Sequence, residues 1–204
     1  MPNVFLIGRP GCGKSVVYRI LKEELREEGY EGDLKRIDDF PILKKIFEED
    51  TEHERHRPAE EGEGVEVIDD TVWDDLSKSL SEQAEELQSP DKLLFIEFSR
   101  DNYVRAFKHF SPEVLEDSII VYIDCPFEIC WERNVKRWEK EEGLDAHLVS
   151  KEEMRKTYAK DDHEELPKHV DVPVLYVKND YSGLDKLRGE LRKVVKNLKK
   201  QYFD

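Results

Sequence analysis

Cysteine is scarce in this chain of 204 residues: Cys12, Cys125 and Cys130 are the only three, and none stand in a C-x-x-C spacing. An odd, scattered set argues against a disulfide framework and against a zinc site, and points to free thiols in a reducing compartment. Long apolar runs are missing too. Nothing approaches the roughly 18 consecutive apolar residues of a membrane helix. Met1-Pro2-Asn3 leads straight into a strand-like run without a signal-peptide pattern. A cytoplasmic protein with no membrane partner is expected. Positive charge is in deficit, with 33 Lys and Arg against 48 Asp and Glu and a formal charge of −15. Such a surface repels a phosphate backbone and disfavours nucleic acid as a partner, although a local basic pocket still suits a small anion.

What the chain does have is charge around a thin core. Charged residues are 40% and apolar residues 38% of the sequence, with too many aromatics for disorder throughout. At roughly 150 residues per domain the length predicts a single domain over 1–204. Val4-Phe5-Leu6-Ile7 is a continuous apolar run of the kind buried on both faces of a parallel sheet. Val17, Ile20, Leu21 and Leu25 then recur at helical spacing up to a stop at Gly29. Further strands are read at Leu34–Ile37, Leu93–Ile96, Ile119–Ile123 and Val174–Val177, with helices between them and a last helix through Leu184–Leu198. Strands alternating with helices require right-handed crossovers, hence an α/β fold with a five-stranded parallel sheet covered on both faces. The charged stretch of about 48–64 is expected to be a flexible acidic segment, and the polar stretch of about 137–165 a mobile lid.

Gly8-Arg9-Pro10-Gly11-Cys12-Gly13-Lys14-Ser15 fits G-x-x-x-x-G-K-[ST] and lies between a buried-strand signal and a helix start, the setting a Walker A loop demands. Gly8, Gly11 and Gly13 let the backbone, Cys12 included, curl so that N–H groups converge on phosphate. Lys14 would reach the β- and γ-phosphates, and the Ser15 hydroxyl would ligate Mg2+. ATP and Mg2+ are therefore the expected cofactors. Cys12 is read as a passenger in the loop, with an acidified, oxidisable thiol at a helix N-terminus as the alternative.

With these residues the chain resembles the P-loop kinase superfamily of nucleoside, nucleotide and small-molecule kinases. The resemblance implies a P-loop NTPase three-layer fold of strand order 2-3-1-4-5. Guanine-reading GTPases are less similar, since no Asn-Lys-x-Asp follows any strand. Asp38-Asp39-Phe40 looks like the turn of uridine and nicotinamide riboside kinases. That implies Asp38 as the base facing the acceptor hydroxyl and the metal, with Asp39 in reserve on the substrate side. An Asp before Pro41 also suits a plain helix N-cap. Glu97-Phe98-Ser99-Arg100 stands where the family keeps an acidic residue near the metal and an arginine toward the acceptor, making Glu97 and Arg100 substrate-side candidates. Arg133 and Arg137 share a helix face, as the lid arginines of these kinases do when they close on transferring phosphates. His147 and His163 are read as solvated, and Trp138 and Tyr158 as packing on adenine or on the helix.

The expected function is phosphorylation of a hydroxyl on a nucleoside or similar small molecule. Two alternatives stay open. One is a nucleoside monophosphate kinase, with Arg9, Arg100 and Arg105 as the acceptor's basic residues. The other is a nucleotide-switched regulatory ATPase without a small-molecule acceptor. The acceptor's identity and the oligomeric state are not written in the sequence.

Overall fold

The computed structural model describes residues 3–58, 65–138, 151–180 and 183–202. Five parallel strands form its centre: β1 (Asn3–Ile7), β2 (Asp33–Asp38), β5 (Lys92–Phe98), β6 (Ile119–Asp124) and β7 (Val174–Lys178). Their spatial order is β2-β5-β1-β6-β7. Numbered within the sheet alone, that is the expected 2-3-1-4-5. The connections carry α1 (Lys14–Glu27), α2 (Phe40–Glu49), α3 (Thr71–Leu87), α4 (Tyr103–Phe107), α5 (Pro112–Leu115), α6 (Phe127–Trp138), α7 (Lys151–Tyr158) and α8 (Leu166–His169), and α9 (Leu184–Tyr202) closes the order. A two-stranded antiparallel hairpin, β3 (His56–Pro58) with β4 (Val65–Val67), stands apart from the sheet.

Strand β1 lies in the middle and every residue of it is buried, which is why it reads as an unbroken apolar run. Its side chains alternate between two cores. Val4 and Leu6 join the α1–α9 side with Ile20, Leu21, Leu191 and Val195. Phe5 and Ile7 join the opposite side with Leu80, Ile96 and Phe107. Each such side chain contributes roughly 1.5–3 kcal/mol by burial. Phe5 also meets Phe107 and Phe110 edge-on at 5.0 and 5.1 Å. Because the strands are parallel, the carboxyl ends of β1, β2 and β5 fall on one rim, where Asp38 pairs in register with Glu97, and Glu97 with Leu6.

Residues 48–58 depart from the flexible segment expected there. Asp50 organises them: its carboxylate accepts from the backbone N–H groups of Glu54, Arg55 and His56 at 3.0, 2.9 and 3.2 Å and pairs with His56 Nδ1 at 2.7 Å. Burial opposes its ionisation, but these donors prevail and push Asp50 down to about 2. His56 stacks on Phe47 at 4.6 Å, and Arg55 ties the hairpin to Asp75 of α3 at 2.7 Å. Charged composition hid a turn built from polar contacts rather than apolar burial. Residues 59–64 lie outside the described residues.

The stretch expected as a lid is likewise partly built in. Residues 139–150, with His147, lie outside the described residues, but α7 docks through buried Met154 and Tyr158. Just beyond it, Asp161 is buried and accepts from Tyr122 Oη at 2.9 Å, pairs with the His163 ring, and lies 3.6 Å from Arg9. His163 is not free in solvent as expected; it stacks on Tyr122 at 3.9 Å. Burial opposes the charge on Asp161, but His163, Tyr122 and Arg9 outweigh it and hold its carboxyl below the ordinary value. Asp161→Asn is expected to cost about 3 kcal/mol by leaving buried donors and Arg9 without their anion. A depressed native pKa gives stability that is complete above the unfolded value and lost as pH falls through the native one. Urea titrations should therefore show the full gap between the two proteins at pH 6 and a shrinking gap below about pH 4. A gap independent of pH down to acid unfolding would refute the charged role.

Candidate active site

The loop of residues 8–15 leaves the carboxyl end of β1 and turns directly into α1. All three of its glycines have positive φ and no room for a Cβ, most severely at Gly11 and Gly13. Gly11 has φ 79° and Gly13 φ 100°, in the left-handed region that side chains resist. A Cβ on Gly11 would overlap the carbonyl of Cys130, and one on Gly13 the amide of Asn179. Gly13 is the N-cap of α1, no side chain caps that helix, and its first turn holds no acidic residue. Its leading N–H groups are thus spared for an outside anion. Gly11→Ala is expected to abolish nucleotide binding, measured by calorimetry, because strain and overlap together force the loop open. Wild-type affinity would contradict this packing.

Lys14 is buried and aimed along the loop. Its Nζ donates to Gly8 O at 3.0 Å and to Ser99 Oγ at 2.6 Å, while Ser99 Oγ donates to Gly8 O at 2.8 Å. The ammonium is thereby held at the rim, close to the ends of β1 and β5. Ser15 is exposed and its hydroxyl donates to Glu97 Oε1 at 3.3 Å. Glu97 Oε2 lies 3.3 Å from Arg36 Nη1, and Arg36 Nη2 lies 3.6 Å from Asp38 Oδ2. Burial raises both carboxylates above their ordinary values, a shift that Lys14 and Arg36 reduce for Glu97 and that Arg36 reduces for Asp38. Lys14, Ser15, Asp38 and Glu97 are therefore one constellation.

The two aspartates of the turn separate sharply. Asp38 Oδ1 accepts from Phe40 N at 3.2 Å, a local turn bond that leaves its other oxygen toward Arg36. Asp39 is the formal N-cap of α2 but makes no capping side-chain bond. Its Oδ2 instead receives Arg100 Nη1 at 2.6 Å. Arg100 is 3% exposed, with its guanidinium 5.1 Å from the Trp73 ring and 5.6 Å from Phe98. Both residues were expected to face the acceptor, and the structure turns them toward each other. A guanidinium enclosed by aromatic rings needs a carboxylate, and Asp39 supplies it.

Arg133 is placed differently from a phosphate-facing lid residue. Its Nη1 donates to Asn179 O at 3.3 Å and Cys12 O at 3.5 Å, behind the loop, and lies 3.4 Å from Cys125 Sγ. The side chain of Arg137 lies outside the described residues, as does that of Trp138. Tyr158 packs in the core rather than on a base. Cys12 is fully buried, and loss of solvent pushes its thiol up in spite of nearby Lys14, which speaks against the alternative of an acidified thiol and leaves Cys12 as part of the loop's packing. Sequence reasoning passed over Ser99, Arg36 and Asn179. Ser99 and Arg36 each lie two residues from Glu97 and Asp38 respectively, and that nearness to a strand's carboxyl end was the available signal.

The residues present suit Mg·ATP. A Cβ-free cradle with uncapped helix amides suits phosphate, and the Ser15 hydroxyl beside the Glu97 and Asp38 carboxylates is an all-oxygen set of the kind a hard divalent ion takes. Among the described residues no helix is long and apolar enough to cross a membrane.

Similar folds occur in solved structures. The APS kinase of Mycobacterium tuberculosis, in complex with AMPPNP and APS, has a TM-score of 0.56 at 17% identity over 97% of each chain. A gluconokinase of Sinorhizobium meliloti has 0.57 at 16% identity, covering 98% of this chain and 97% of that one. Kti12 of Chaetomium thermophilum, in complex with ADP-AlF3, has 0.60 at 14% identity over 100% of both. No curated protein is a sequence match. The sequence model of the family described as "AAA domain" matches residues 4–157, well over half the chain and inclusive of the loop, Asp38, Glu97 and Arg133. Its sheet order, its phosphate loop and this match agree, and the chain belongs to the AAA-domain family and has the fold of the P-loop kinases.

Proposed function

We propose that this protein is an ATP- and Mg2+-dependent phosphotransferase that phosphorylates a hydroxyl of a nucleoside or similar small metabolite in the cytoplasm. The observation that carries the reading is the meeting of Lys14, Ser15, Asp38 and Glu97 at the carboxyl ends of three adjacent parallel strands. Mg·ATP, when bound, supplies the transferable phosphoryl group and a divalent charge that offsets its negative oxygens. The chain's own part is to hold and to move a proton. The amides opening α1 bind phosphate, and Lys14, anchored between Gly8 and Ser99, places a cation beside it. Ser15 and Glu97 would hold the metal, with Asp38 facing it. Asp38, raised by burial and kept in place by Phe40 N and Arg36, orients the acceptor hydroxyl and takes its proton at a carboxylate oxygen.

A hydroxyl acceptor is favoured over a nucleoside monophosphate by the state of the three arginines that a phosphate would need. Arg9 lies by Asp161, Arg100 is bound to Asp39, and Arg105 makes two bonds of 2.7 Å to Asp74. The charge of each is already offset by a carboxylate, with Nε and Nη2 of Arg100 left as buried donors without a partner among the described residues. The test is thermal melting with Mg2+, a non-hydrolysable ATP analogue and a panel of hydroxyl metabolites. The analogue should raise the melting temperature, and a true acceptor should raise it again. If the analogue acts but no hydroxyl compound adds to it, while a monophosphate does, the acceptor assignment fails.

A further inference from the structure

We infer that Asn179 is a positioning residue of the phosphate loop: it holds the carbonyl of Cys12 outward and so aims the amide of Gly13 into the cradle. The inference rests on the reading of residues 8–15 as a nucleotide-phosphate site. Cys12 O accepts from Asn179 Nδ2 at 2.6 Å, with Arg133 Nη1 a longer second donor at 3.5 Å. In a trans peptide the C=O and N–H point opposite ways, so whatever grips the oxygen of Cys12 also sets the direction of the Gly13 N–H.

That grip matters because of Gly13. A glycine accepts positive and negative φ almost equally, so the peptide before it can turn over at little cost. The residue that permits the curl also leaves the curl loosely determined, and Asn179 removes this freedom. Asn179 is itself fixed before any ligand arrives. Its backbone N donates to Asp124 O at 2.8 Å at the end of the β6–β7 pair, and the residue is 5% exposed. Its amide also packs so closely on Gly13 that a Cβ there would overlap Nδ2. Arg133 reaches Asn179 O as well as Cys12 O, so the segments after β6 and β7 meet on the Cys12 carbonyl and are tied to each other. Asn179 thus acts on phosphate through the loop peptide, with no contact to base or acceptor required.

Titration calorimetry of Mg·ATP and of inorganic tripolyphosphate with Mg2+, against wild type, Asn179→Ala and Asn179→Asp, separates the possibilities. Both ligands should weaken by the same factor, about tenfold for Asn179→Ala, the worth of one good hydrogen bond. Asn179→Asp should be worse, since a carboxylate repels the Cys12 carbonyl. It is isosteric, and it carries the test where Asn179→Ala loses native circular dichroism. A loss confined to ATP would assign Asn179 to the base and overturn the inference. Unchanged affinity for both ligands with only a lower melting temperature would reduce Asn179 to support of the fold and overturn it as well. A wild-type protein that binds neither ligand removes the phosphate-site reading itself, and the inference with it.

Discussion

Lys14→Ala is expected to lower phosphoryl transfer by roughly 10²-fold or more while far-UV circular dichroism stays as in wild type. The loss follows from charge. As the phosphoryl group moves, negative charge redistributes over its oxygens, and a fixed ammonium at the rim stabilises that distribution without reorganising. The fold should survive because the loop keeps its other ties. Ser99 Oγ still donates to Gly8 O, Cys12 N still donates to Arg9 O, and Asn179 still grips Cys12 O. Steady-state kinetics with saturating Mg·ATP provide the check. Near-normal turnover would remove Lys14 from the chemistry.

The second large effect is a contrast between neighbours. Asp38→Asn is expected to reduce turnover by roughly 10²–10⁴-fold, the range of a lost general base. Asparagine retains an oxygen for Phe40 N, so the start of α2 and the melting temperature should change little. Asp39→Asn should do the opposite. It deprives Arg100, enclosed by Trp73 and Phe98, of its anion, for a cost of about 3 kcal/mol in stability. Turnover per folded molecule should then stay within severalfold of wild type. The pH profile adds a sign. Burial raises Asp38, so the acid limb of the wild-type rate should lie above the ordinary carboxylate value near 4. Equal rates for both variants and wild type across pH 6–9 would make the turn purely structural.

Much of this arrangement could be read before any coordinates because local and global signals agree along β1, β5 and β6. Their apolar runs are long, buried on both faces and followed by polar turns, so strand and site are marked by the same few residues. The Walker A loop was legible for the same reason. The β3–β4 hairpin was not, since its strands are three residues each and it is held by Asp50, Arg55 and stacked His56 rather than by a hydrophobic pattern. The roles of Asp39 and Arg100 also lay beyond the sequence. Both residue types stand where an acceptor could meet them, and only their distance shows that they meet each other. Asn179 was hidden by sequence separation: its contact is with a carbonyl 167 positions away, and a lone asparagine after a strand carries no pattern.

The most direct measurement follows the phosphoryl group itself. ATP labelled at the γ-phosphate is incubated with the protein, Mg2+ and a pooled extract of small metabolites, and the label is traced by chromatography. Phosphotransfer to a hydroxyl acceptor requires label in an organic phosphate, dependent on the extract and lost in Asp38→Asn. Label found only in inorganic phosphate, at a rate the extract does not change, would contradict the acceptor site and leave a nucleotide-hydrolysing switch in its place.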